Sequence, residues 1–147
     1  MATVRGCNLP DELLYDVQSH IWFQEQNDGN VKVGMTAVAT AMAGRLVSFT
    51  PKGVGKEVKA GKSCATVESG KWVGPAKVAA AGTVVEINEA LVATPSMAND
   101  DLYGRGWLMI MIMEVWASVK PTLTPGTQVA APYEAKMAAD GFAGCAA

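Results

Sequence analysis

Few side chains in this 147-residue chain are of the kinds that do chemistry. There is one histidine, His20, and the three cysteines, Cys7, Cys64 and Cys145, show no Cys-x-x-Cys spacing, so a zinc-type set of closely spaced Cys and His donors is not available. Thr50-Pro-Lys-Gly-Val-Gly-Lys56-Glu57 contains Gly-x-Gly-Lys, but a phosphate loop needs Gly where Thr50 stands and Ser or Thr where Glu57 stands. It reads as a turn. Asp100-Asp101 and Glu86 to Glu89 are acidic pairs of a kind common on solvated surfaces. The informative residue is Lys71, in Val67-Glu-Ser-Gly-Lys71-Trp72. A lysine at the tip of a tight hairpin is accessible to a modifying enzyme, and a rigid hairpin gives a swinging prosthetic arm a fixed origin. Taken alone, though, a lysine at a turn is an ordinary solvated side chain, so its surroundings must carry any further reading.

The elements that would position Lys71 are short. Leu13 to Val17 and Ile21 to Gln26 have strand composition, Asn27-Asp-Gly-Asn30 supplies a turn, and Val31 to Val33 completes a hairpin. Met35 to Arg45 is the first helix candidate, capped by Thr36 and ended by Gly44. Leu46 to Thr50 is a strand, and Cys64 to Ser69 and Trp72 onward are two strands whose turn tip is Gly70-Lys71. Thr83 to Asn88 and 107 to 113 add two more, residues 89 to 101 are partly helical, and Tyr133 to Ala139 is a short helix among Pro121, Pro125 and Pro132. Residues 1 to 12, with Gly6, Asn8, Pro10 and Asp11, read as a flexible lead-in; 13 to 119 are expected to form one domain and 120 to 147 a C-terminal appendix.

Composition agrees with that outline. There are 23 Ala and 17 Val, but Leu, Ile, Phe, Trp and Tyr together number 22, so the core must be thin and suits a small β sandwich or barrel. A net charge of -2 offers no broad basic footprint for nucleic acid. The longest apolar stretch, Trp107 to Met113, is far short of a bilayer span, and because the first twelve residues contain no apolar h-region, no secretory signal is expected. With three unpaired-looking cysteines, a reducing cytoplasmic setting is the simplest expectation. Met109, Met111 and Met113 alternate on one strand face as core fillers, and Cys64 is expected to be packed and inert.

Several pieces, in order and at kept spacing, resemble the H protein of the glycine cleavage system, a lipoyl carrier. They are His20-Ile-Trp22, Val33-Gly-Met-Thr36, Gly53-Val-Gly-Lys-Glu-Val58, Glu68-Ser-Gly-Lys71, Gly82-Thr-Val-Val-Glu-Ile-Asn-Glu-Ala-Leu91 and Tyr103-Gly-Arg-Gly-Trp107. The resemblance implies a mainly β, lipoyl-type barrel-sandwich hybrid with short helices and a C-terminal appendix. It also implies a carrier rather than an enzyme, with lipoate in amide linkage on Lys71 and with Glu68 and Gly70 part of the signal read by a lipoate-attaching enzyme. A biotin carrier fits less well, because Gly70 and Trp72 replace the Met-Lys-Met signature.

The chain departs from the family pattern around the carrier lysine. Ile21 stands where the family has Glu, Gly70 and Trp72 where it has Val and Ala, and Val47-Ser-Phe-Thr-Pro51 replaces an acidic stretch. Lys52, Lys56, Lys59 and Lys62 then form a basic patch that is either a solvated loop or a docking surface. These departures resemble the lipoate-binding proteins of the sulfur-oxidising heterodisulfide reductase-like system. That likeness implies carriage of sulfur intermediates in the cytoplasm, with a heterodisulfide reductase-like complex and dihydrolipoamide dehydrogenase as partners. A dithiol suits the task, since one thiolate attacks a persulfide or disulfide sulfur and the other resolves the adduct. A glycine cleavage H protein carrying aminomethyl groups is the alternative, and a lipoate-free adaptor or cysteine relay is another. Cys7 and Cys145, placed in flexible ends, are candidates for sulfur exchange; His20 either lines a groove near the arm or is structural.

Overall fold

The computed structural model describes residues 1–145. Twelve short strands and five short helices follow the turn signals closely. β1 (Ala2–Val4) and β2 (Cys7–Leu9) form a hairpin of their own. β3 (Leu14–Asp16), β4 (Ile21–Glu25) and β5 (Val31–Met35) are a meander, and α1 (Ala37–Ala43) follows. Then come β6 (Leu46–Pro51), β7 (Glu57–Val58), β8 (Lys62–Ser69), β9 (Val73–Val78) and β10 (Gly82–Ile87). After α2 (Glu89–Ala93) and α3 (Met97–Asp100), the chain runs through β11 (Met109–Met113), α4 (Trp116–Val119), β12 (Thr124–Pro125) and α5 (Ala130–Ala139).

Two antiparallel sheets face each other. The larger has the order β12-β3-β4-β5-β11-β10-β7 and the smaller β6-β8-β9. Alternation along the strands explains the core between them: Phe23, Val33, Val67, Val84, Met109 and Met111 point inward and are buried. The methionine alternation on β11 is therefore packing, and Cys64 is fully buried there, with its thiol pushed up to about 12 by desolvation. Trp22 pairs in register with Gly34, and its indole occupies the space above that glycine, where a Cβ would lie 2.3 Å from the ring.

The helix signals at α1 are realised. The Thr36 hydroxyl accepts from the Ala39 N–H at 3.3 Å, and Gly44, at φ +89°, ends the helix by donating to the Thr40 carbonyl at 2.9 Å. At the ends of the chain the structure differs from expectation. Residues 1–12 are not a loose lead-in: Arg5 and Gly6, both at positive φ, turn the β1–β2 hairpin, and Val4, Cys7 and Leu9 are buried. They share a second core with Tyr15, Trp22 and Val38, and with Tyr133 and Met137 of α5. That helix starts at Ala130 rather than Tyr133, because Pro132 falls in its first turn, where no N–H partner is lost. The expected appendix is thus packed into the body, and β12 extends the larger sheet.

Candidate functional site

Lys71 sits where β8 turns into β9. The Ser69 N–H donates to the Trp72 carbonyl at 2.8 Å, so Gly70 and Lys71 are the two residues of the tip, and Lys71 is exposed. Buried Ser69 anchors the tip: its hydroxyl donates to the Ala43 carbonyl at the end of α1 and accepts from the Lys71 N–H at 3.3 Å. Gly44 lies beneath the lysine stem, where an added Cβ would come within 3.1 Å of Lys71 Cε. The loop under the tip is itself clamped by α3. Asn99 accepts from the Leu46 N–H at 2.9 Å and donates to the Gly44 carbonyl at 3.0 Å, while Arg45 pairs with Asp100 through both carboxylate oxygens. The result is an exposed side chain on a fixed origin.

Glu68 is exposed on the outward face, opposite Ser48 and Val73. Gly70 is exposed too, its φ is not positive, and a Cβ there would meet nothing within 4 Å, so packing does not require glycine. Lys52, Lys56, Lys59 and Lys62 are exposed at the opposite end of the hairpin. Lys62 opens β8 and Ser69 closes it, roughly 23 Å apart at about 3.3 Å per residue. The basic patch is consequently separate from the lysine tip.

A groove of about 520 Å³ begins beside the tip. Trp72, Ala76 and Lys77 form one wall; Met35, Ala39 and Met42 form the other, with His20 at one end. Trp72 is 40% exposed and its indole lies over Gly74, where a Cβ would come 2.1 Å from the ring. His20, at φ +57°, stacks on Tyr133 with ring centroids 5.6 Å apart, and its Nδ1 is 3.1 Å from the Tyr133 hydroxyl, which also meets the Thr36 hydroxyl at 3.1 Å. Burial, assisted by the Lys136 charge, lowers the His20 pKa below its usual value, so the ring is held neutral. Both readings of His20 therefore hold: it lines the groove and it is a structural ligand of α5.

Cys7 and Cys145 are not free thiols at flexible ends. They form a disulfide, with Cα atoms 4.9 Å apart, and Cys7 is buried. The Cys145 N–H donates to the Arg5 carbonyl at 2.9 Å, and Arg5 in turn holds Glu134 and the Phe142 carbonyl. This corrects the expectation of unpaired cysteines at flexible ends, and the compartment inference loses its premise of three unpaired cysteines. Sequence reading missed the pairing because a separation of 138 residues carries no local signal. It also missed Tyr133 and Asn99, which act only through contacts distant in sequence. Among the described residues no cluster of three or more His, Cys, Asp or Glu could hold a metal ion, and no helix is long and apolar enough to cross a membrane.

The two sheets present one exposed lysine at a hairpin tip beside a groove, and likeness to known proteins gives the class to which this arrangement belongs, the lipoyl carriers. Residues 13–135 match the family model described as glycine cleavage H-protein, and the chain belongs to that family. It is 52% identical over 125 residues to glycine cleavage system H protein 5 of Aquifex aeolicus, covering 82% of this chain and 78% of that one. To probable glycine cleavage system H protein 2 of Sulfurisphaera tokodaii it is 35% identical, over 88% of each chain. The crystal structure of a glycine cleavage system H protein from Mycobacterium marinum superposes with a TM-score of 0.73 at 33% identity, covering 90% of this chain and 99% of that one. The family's barrel-sandwich fold is thus established, and the family's members are carriers bearing lipoate covalently on a lysine. They work with lipoate-attaching and lipoamide-dehydrogenase-type enzymes.

Proposed function

We propose that Lys71 is the residue that carries lipoate, with Glu68 and Gly70 contributing to recognition by the lipoate-attaching enzyme. The observation that carries this reading is the tip geometry: an exposed lysine, two residues from a strand end anchored by Ser69, next to a groove of about 520 Å³. Gly44 leaves room for the lysine stem, so the residues present fit an amide-linked prosthetic group. That group supplies a dithiol/disulfide couple when attached. The chain itself supplies the fixed origin and the groove. Treatment with a lipoate-attaching enzyme, lipoate and ATP should add one lipoyl group, located on Lys71 by peptide mapping, and Lys71→Arg should add none. Modification that persists in Lys71→Arg would overturn the assignment.

For the cargo, family membership supports the aminomethyl group of glycine cleavage, with glycine decarboxylase as the loading partner. A second reading is favoured by the groove, whose lining holds a lysine and no carboxylate among the described residues. It is carriage of sulfur intermediates to and from a heterodisulfide reductase-like complex. The relatives bear numbers up to five in one organism, consistent with several H proteins in one cell and room for more than one task. A cytoplasmic setting belongs to the same proposal and rests on the family, not on the cysteines. Loading by glycine decarboxylase and glycine, read as an aminomethyl mass on the lipoylated chain, separates the two: robust loading favours the first reading, and none favours the second.

A further inference from the structure

The groove has an electrical character that neither the family nor the tip geometry assigns. Its walls are apolar and soft: the Met35 and Met42 thioethers, the Trp72 indole and the methyls of Ala39 and Ala76. Gln18 and Ser19 add neutral polar groups at the His20 end, and Lys77 is the one Lys, Arg, Asp or Glu in the lining. The nearby acids are already engaged. Asp16 accepts from the Gln18 N–H at 3.2 Å, and Asp140 pairs with Lys136 at 3.3 Å. Lys136 also donates to the Gln18 side-chain oxygen at 3.3 Å, which brings a second ammonium toward the same end.

A protonated amine entering such a groove loses hydration and gains no carboxylate, and it meets Lys77 as a like charge. A neutral thioether or a sulfur-bound anion meets methionine, indole and an ammonium instead. We propose that this groove is a charge filter for the cargo end of the arm. Lys77 is its specificity-determining residue, admitting neutral or anionic sulfur adducts and disfavouring cationic amines. The inference rests on the reading of Lys71 as the origin of the arm, because that is what would bring cargo to the groove, and it takes the second of the two cargo readings, sulfur carriage, over aminomethyl carriage.

The two can fail separately if the groove is probed with free compounds on the unmodified full-length chain. Two dihydrolipoamide derivatives serve, the S-sulfonate and the S-(2-aminoethyl) thioether, each with its second thiol methylated so that the S-sulfonate cannot lose sulfite by closing to the cyclic disulfide; both are titrated while ¹H–¹⁵N spectra are recorded for the wild type and Lys77→Gln. If lipoate were mapped to another lysine, the attachment reading would fall while these titrations still reported on the groove. The S-sulfonate should shift the Ala39, Met42, Trp72 and Lys77 amides and bind about tenfold more tightly than the amine, the scale of one partly screened charge contact. In Lys77→Gln that preference should drop below about threefold. Equal or tighter binding of the amine, no sulfonate-induced shifts at those amides, or a preference that survives Lys77→Gln would overturn the proposal.

Discussion

Ser69 ties the hairpin that presents Lys71 to the end of α1, and its effect on the tip can be separated from that of the lysine. Removing the hydroxyl in Ser69→Ala leaves the Ala43 carbonyl without its donor and frees the Lys71 N–H. The cost should be about 1–2 kcal/mol, the range for a buried hydrogen bond lost on one side, measurable by urea denaturation. The Lys71 side chain would remain, so lipoylation should slow without being abolished. His20 gives a pH signature. Its folded pKa lies below the unfolded value of about 6.5, so the unfolded chain takes up the proton first. Stability should be complete above that unfolded value and decline as pH falls through it toward the folded pKa. Melting temperatures between pH 7.5 and 5 should show this fall in the wild type and less of it in His20→Gln, which keeps a polar atom near Tyr133.

Elements here are held in place by glycines under tryptophans, and the two instances should respond differently. Trp22 is buried between β4, β5 and the second core, so it has nowhere to go when Gly34→Ala places a Cβ 2.3 Å from its ring. A loss of about 1–3 kcal/mol is expected from overpacking, read by thermal or chemical unfolding. Trp72 is 40% exposed, and in Gly74→Ala it can swing outward. Stability should then change by less than about 0.5 kcal/mol, while Trp72 fluorescence shifts and the groove wall opens. A large stability loss at Gly74 would show that Trp72 is clamped more firmly than its exposure implies.

For the whole molecule, the decisive link is the closure of the two chain ends. The Cys7–Cys145 disulfide bridges 138 residues, and in the chain-entropy view a loop of that length restrains the unfolded state by about 5 kcal/mol at most. Cys7→Ser with Cys145→Ser should therefore lower unfolding free energy by several kcal/mol, whereas lipoylation of Lys71 should be preserved, since the tip is anchored by α1 and α3 instead. Loss of lipoylation in that double variant would mean that the second core, through Tyr133 and His20, reaches the hairpin.

Much of this protein is written locally. Thr36 and Gly44 mark the ends of α1 because capping and positive φ are properties of single residues, and Asn27 to Asn30 and Gly70-Lys71 mark turns for related reasons. Strand alternation placed Met109 and Met111 in the core correctly, since a period of two needs no knowledge of the partner strand, and Cys64, beside Ala65 and Val67, is packed as its neighbours led one to expect. The tip lysine was legible by the same route. What sequence could not supply were relations between distant residues: the pairing of Cys7 with Cys145, the seat of Tyr133 on His20 and Thr36, and the grip of Asn99 on the loop beneath Lys71. The groove belongs to this second kind as well. Met42 and Lys77 line one cavity only because the fold sets α1 and β9 on opposite sides of it, so its charge, unlike the position of Lys71, was decided by the tertiary structure alone.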